Sequence, residues 1–220
     1  MRLLFDHVAK CGGTAVSTCL QTIYKEDKKY GVYSQNAIAK FKNMSEDERY
    51  SYKLIYGHDI FRLRTLVHPN TKLFTIIRHP LNRQISLYHY IRQHSDHHYH
   101  YIALKLPLVE FFKIDRTRHL NNRYIQHFGE LTTEEVKENP KQSLATAIKN
   151  IKLFQLIGSQ EKLKQSMELL KDMVKWRGKI SLEKINLGHY KEPSELIQKT
   201  ICAENQLDIE LYENYLISTL

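Results

Sequence analysis

An apolar run from Leu3 to Val8 leads into Lys10-Cys11-Gly12-Gly13-Thr14, and apolar residues then recur at Val16, Cys19, Leu20 and Ile23. The run reads as a buried strand, and the i, i+3, i+4, i+7 recurrence as one face of an amphipathic helix. Two adjacent glycines between them let the chain turn sharply and bring its backbone close to another group. The N–H groups that open a helix lack intrahelical acceptors and lie at the positive end of the helix dipole, so such a junction suits an anion. Lys10 adds a full charge, Thr14 a hydroxyl, and the N–H groups from Gly12 to Ala15 the backbone donors. The order differs from the common Gly-Lys-Ser/Thr phosphate loop, because here the lysine precedes the glycines. Taken alone, the same residues also make an ordinary strand-to-helix turn with a solvated lysine.

The rest of the chain repeats the alternation. Residues 25–50 are polar with modest helical signals, and Leu54 to Tyr56 is a short strand ending at Gly57-His58. Leu73 to Ile77 is a stronger strand that ends at Arg78-His79-Pro80, and Pro80 suits the first turn of a helix. Leu81, Ile85, Tyr88 and Arg92 line one side of that helix. Tyr101 to Phe128 reads as helix broken near Pro107, and Leu153 to Ile157 as a further buried strand closed by Gly158. Helical spacing returns at Leu163, Met167, Leu170 and Val174, and at Ile209, Tyr212 and Leu216. Strands alternating with helices argue for an α/β fold with a parallel sheet covered by helices.

Composition narrows the classes. With 220 residues, 42% of them hydrophobic, the chain is long and apolar enough for one domain with a sizeable core, which excludes disorder. No run approaches the ~20 apolar residues of a membrane span, and the opening MRLLFDHVAKCGG is too short and too polar for a signal peptide. Cys11, Cys19 and Cys202 are too few and too scattered for a disulfide framework or a zinc site and suit a reducing compartment. The expectation is a cytoplasmic protein with no integral membrane anchor. The formal charge of +9 implies anionic partners without naming them.

A second anion-binding feature follows the strand at 73–77. Arg78 stands at its end, where open α/β sheets bind ligands, and Ser86 lies eight residues further on. An Arg with a hydroxyl can clamp a phosphate, although a surface ion pair and a helix-face serine would read the same way. The pair of features resembles the sulfotransferases that use 3′-phosphoadenosine 5′-phosphosulfate (PAPS), most closely the carbohydrate 2-O and related enzymes. The resemblance rests on Phe5 to Thr14, on Ile77-Arg78-His79-Pro80 with Arg83, Ser86 and Tyr88, on Ile157 to Glu161, and on Asn205, Asp208, Leu211 and Tyr212. It implies a P-loop-like three-layer domain over 1–220, with a central mostly parallel sheet flanked by helices. It also implies that Lys10, Cys11, Gly12, Gly13, Thr14 and Ala15 hold the 5′-phosphosulfate, and that Arg78 and Ser86 hold the 3′-phosphate. Lys191, in a segment resembling the basic loop that closes over the nucleotide, is expected near the 3′-phosphate.

Tyr56-Gly57-His58 falls where the family commonly places its catalytic histidine. His58 is therefore the expected general base, a role its ordinary pKa near 6.5 suits, although a histidine capping a strand end would look the same. Lys10 is the expected stabiliser of charge on the leaving phosphate. The resemblance implies no metal, and the expected partner is a hydroxyl-bearing acceptor, carbohydrate and suited by the basic chain to be anionic. The sequence does not fix the oligomeric state.

The run His94 to His100 invites a metal reading through His94 and His98, but it lacks an HExxH pattern and reads better as a solvated or substrate-facing loop. Asp115 to His127 reads as a basic helix facing acceptor or solvent. A nucleotide-dependent kinase shares the phosphate-loop logic but lacks the Gly-Lys-Ser/Thr triplet. A basic nucleic-acid-binding module would explain the charge, but no recognition signature accompanies it, so no nucleic-acid partner is expected.

Overall fold

The computed structural model describes residues 1–178, 180, 182 and 192–216. Its strands are β1 (Arg2–His7), β2 (Lys29–Val32), β3 (Leu54–His58), β4 (Thr71–Ile77) and β5 (Leu156–Ser159). The helices before β4 are α1 (Gly13–Ile23), α2 (Gln35–Asn43) and α3 (Glu46–Ser51). Between β4 and β5 lie α4 (Pro80–Gln93), α5 (His100–Lys105), α6 (Leu108–Lys113), α7 (Asp115–Arg118), α8 (Arg123–Gly129), α9 (Thr133–Glu138) and α10 (Pro140–Ile151). After β5 come α11 (Leu163–Val174), α12 (Glu195–Glu204) and α13 (Gln206–Leu211). None of the described helices is long and apolar enough to cross a membrane.

The chain divides into two compact units. The first holds Met1–Ile77 and the described part of Lys152–Asn186, and so the whole sheet with α1, α2, α3 and α11. Every strand pairing is parallel, in the order β2-β3-β1-β4-β5. From β1 the chain goes out to edge strand β2, returns to place β3 beside β1, and then crosses to β4 and β5 on the other side, and ligands of open α/β sheets bind at the carboxyl ends of strands where the order reverses.

Burial explains the strand sequences. Leu3, Leu4, Phe5, Asp6 and His7 are all buried in the central β1, as are Leu73 to Ile77 in β4. Edge strand β2 buries only Val32. Phe5 stacks on Phe74 at 5.1 Å across the β1–β4 pair.

The second unit holds Arg78–Ile151 and the described part of Leu187–Thr219, and it is all helical. Its core includes Leu87, Tyr88, Ile91, Ala103, Phe111 and Phe112. The Tyr88 hydroxyl donates to the Leu106 carbonyl at 2.7 Å, which ties α4 to the end of α5.

Several expected boundaries moved. The region 25–50 contains β2 as well as helices, and β3 runs on through His58. The expected strand at 153–157 lies at Leu156–Ser159. The helix expected over 101–128 is four short helices, broken at Pro107, at Ile114 and around Asn122, whose backbone is left-handed at φ 47°. The stretch after α4 leaves helical geometry at His94, so His94 and His98 share no helix face.

Candidate active site

The turn out of β1 is built from two left-handed residues, Lys10 at φ 69° and Gly12 at φ 81°. A left-handed lysine is an uncommon backbone state for a residue with a Cβ. Gly13 is required for space, because a Cβ there would lie 1.8 Å from Cδ2 of the His7 ring. Gly12 is N-cap to α1 and no side chain caps this helix start. The first intrahelical bond runs from Val16 N to Gly12 O at 3.4 Å. The N–H groups of Gly13, Thr14 and Ala15 therefore open an eleven-residue helix, the arrangement that receives an anion. The turn from β5 into α11 supports the loop: the Gln160 side chain packs beside Gly12, and Gln160 N–H donates to Ile77 O at 2.7 Å.

His58 ends β3 and is the register partner of His7 at the end of β1. Its Nδ1 lies 2.8 Å from the His7 carbonyl oxygen. A carbonyl only accepts, so Nδ1 carries the proton and donates, which leaves the lone pair on Nε2. A neutral imidazole in that tautomer has Nε2 as its accepting nitrogen. Asp6 holds the turn that follows, accepting from Ile60 N and Phe61 N at 3.1 Å each.

Sequence reasoning gave His7 no role. In the structure it lies between the loop and His58. Its ring centroid is 4.1 Å from that of His58, and its ring underlies Gly13. Burial chiefly, then the charges of His58 and Lys10, hold its pKa down at about 3, so it stays neutral. Tyr33 meets both imidazoles edge-on, at 6.4 Å from His7 and 5.3 Å from His58, and its hydroxyl lies 3.0 Å from that of Ser17. The available signal was two polar residues, Asp6 and His7, continuing the apolar run Leu3-Leu4-Phe5 of the central strand.

In the second unit, Arg78 follows β4 directly and precedes α4, on which Ser86 is buried. The Tyr124 hydroxyl clasps the Arg78 backbone, accepting from its N–H at 3.0 Å and donating to its carbonyl at 2.6 Å. Tyr124 is held in turn by Asp208, whose carboxylate accepts from Tyr124 N and Ile125 N at 3.0 Å each. Asn205 accepts from Asn122 N at 3.0 Å and from the Gln84 amide at 2.7 Å. The Asn205 and Asp208 signature is thus a capping device for α8. Burial raises Asp208 to about 6, against the lowering effect of the Tyr124 N–H and of the Arg83 charge. Arg83 is itself buried, and Nε of both Arg78 and Arg83 has no hydrogen-bond partner among the described residues. Buried guanidinium nitrogens left in this state fit an anion. Lys191 lies outside the described residues.

No group of three or more metal-ligating side chains occurs among the described residues. A cavity of about 310 Å³ opens at the opposite end of the sheet, lined by Tyr24, Lys25, Lys28, Lys53, Lys175 and Trp176 among others. Helices α1 and α11 both end there, and cations complement helix carboxyl ends, which accounts for the lysines.

An uncapped helix start beside a lysine, at the carboxyl end of a central strand of a parallel sheet, is a geometry suited to an anion. A family model described as the Sulfotransferase family matches residues 1–215, and the chain belongs to that family. Among solved structures, the crystal structure of mouse sulfotransferase SULT7A1 complexed with PAP matches with a TM-score of 0.44 and 13% identity. The match covers 95% of this chain and 66% of that one, just under two thirds of its length. No curated protein matches the chain.

Proposed function

We propose that this protein transfers a sulfuryl group from PAPS to an acceptor hydroxyl. The observation that carries the reading is the convergence on one ring: Gly13 of the anion-binding turn and the imidazole of His58 both contact His7, and Lys10 lies close enough to depress its pKa. Membership of the sulfotransferase family supports the reaction class. The residues present fit the donor. Lys10 and the N–H groups from Gly12 to Ala15 take its 5′-phosphosulfate. Arg78 and Ser86, joined by the buried Arg83, take the 3′-phosphate, and Lys191 is assigned to the same phosphate. The family match runs through both compact units, which supports reading 1–220 as one functional domain.

The donor supplies a sulfuryl group already activated by its bond to phosphate. His58 Nε2 accepts the proton of the acceptor hydroxyl as the new O–S bond forms. Lys10 and the loop N–H groups stabilise the charge that collects on the phosphate oxygen as the old bond breaks. Positioning and charge stabilisation dominate, as in phosphoryl transfer. Lys10 serves where a kinase uses a divalent metal, so no metal is assigned. The net charge of +9 and the half-exposed Tyr33 ring beside His58 favour a carbohydrate acceptor carrying negative charge. The few, scattered cysteines favour the cytoplasm.

Thermal unfolding with 3′-phosphoadenosine 5′-phosphate (PAP) tests the donor site. At a hundredfold excess over Kd, PAP should add about 2.7 kcal/mol, a rise in Tm of roughly 5–10 °C for a chain of this size. The rise should occur without Mg²⁺ and should exceed that from ATP; the reverse order would favour a kinase. Labelled PAPS offered to polysaccharides, proteins and small phenols then identifies the acceptor, and label reaching only the non-carbohydrate samples would overturn that part of the reading.

A further inference from the structure

We infer that His7 is a positioning residue for the base: its ring is the wedge that keeps His58 in the Nδ1–H tautomer and in a fixed relation to the anion-binding turn. The inference rests on the reading of His58 as base. Four observations carry it. The two histidines are register partners on neighbouring parallel strands. The His7 carbonyl takes the His58 Nδ1 proton at 2.8 Å. The two rings lie 4.1 Å apart, inclined by 33°, so the His7 ring fills the space into which His58 would have to rotate to lose that bond. Gly13 meets the same ring, and has no room for a Cβ because the His7 ring is there.

The position also demands a neutral wedge. When His58 takes a proton it becomes a cation, and a second cation 4 Å away would oppose that step. His7 is 6% exposed, and its Nδ1 has no hydrogen-bond partner among the described residues. The groups facing it are His58, Lys10 and Tyr33. Burial and the first two hold its pKa at about 3, so it stays uncharged while His58 cycles. Ring volume and neutrality are therefore the properties that matter, and the ring nitrogens are not.

Nitrogen-15 NMR of the histidine rings reads the tautomer directly and needs no acceptor. In the unmodified protein at pH 8, His58 should show a protonated Nδ1; a protonated Nε2 would overturn the inference without any variant. His7→Ala should move His58 toward the Nε2–H form that free imidazoles prefer, and His7→Phe should restore Nδ1–H. An unchanged His58 tautomer in H7A, or a H7F spectrum like that of H7A, would also overturn it. PAP affinity, measured alongside, should change less than about threefold in H7F if the wedge still supports the turn. His58→Ala addresses the underlying reading separately, since normal turnover there would remove His58 as base and leave the NMR result standing.

Discussion

Lys10 holds a left-handed backbone, a conformation that costs a residue with a Cβ about 1–2 kcal/mol. Alanine would bear the same strain, so Lys10→Ala should unfold within about 1 kcal/mol of the parent while losing sulfuryl transfer. Urea midpoints and labelled-donor turnover separate the two effects, and retained turnover would remove the lysine from the reaction. His58→Ala should cut turnover about a hundredfold or more and leave PAP affinity nearly intact, the split expected of a general base. At Gly13, a methyl group would collide with the His7 ring, and overpacking of this kind costs about 1–3 kcal/mol. Gly13→Ala should lower Tm and weaken PAP binding together, because the helix start proposed to receive the phosphate must shift.

At the scale of elements, α8 acts through Tyr124. Its start is capped from α13 by Asp208, while its own N-cap Asn122 makes no side-chain cap bond to α8 and instead accepts from Leu207 N and Asp208 N. Tyr124→Phe removes the hydroxyl that satisfies both backbone groups of Arg78, at a cost of about 1–3 kcal/mol. Calorimetric titration with PAP should then show weaker binding, because the residue proposed to grip the 3′-phosphate loses its anchor. Unchanged affinity with lowered stability would confine the clasp to folding. These elements were unevenly legible in the sequence. The order β1, turn, α1 was plain because the strand opens with the apolar run Leu3-Leu4-Phe5 and glycines follow its end. Edge strand β2 was not, since Lys-Tyr-Gly-Val buries one side chain and carries no alternation. The stretch 101–128 kept helical spacing across breaks set by left-handed Asn122 and by capping from distant residues, neither of which periodicity reveals. Lys10, His58 and Arg78 stood out as candidates because each follows or ends a strand, and Ser86 because it lies eight residues past Arg78. His7 could not, because its meaning comes from a partner on a strand paired fifty residues later, and parallel register is not written locally.

For the whole molecule, two buried groups give stability opposite slopes with pH. His7 titrates near 6.5 when unfolded and near 3 when folded. The unfolded chain therefore takes a proton that the native state refuses, and stability falls as pH drops through that interval, by on the order of 5 kcal/mol in full. Asp208 is shifted the other way, from 3.8 to about 6, so the native state holds the extra proton and stability falls as pH rises between those values. Denaturant midpoints at pH 4 and pH 7 should show the parent losing more stability in acid than His7→Phe does. An equal acid loss in both would mean that His7 is protonated in the native state. Net charge and composition foretold neither slope, since both come from burial of particular side chains.

The two imidazoles hang from hydrogen-bonded neighbours in the middle of a parallel sheet. Their separation is inherited from the roughly 4.8 Å interval between strands, the least compliant dimension such an architecture possesses. Loops beyond the strand tips can consequently be remodelled to admit a different acceptor without retuning the spacing of His7 and His58.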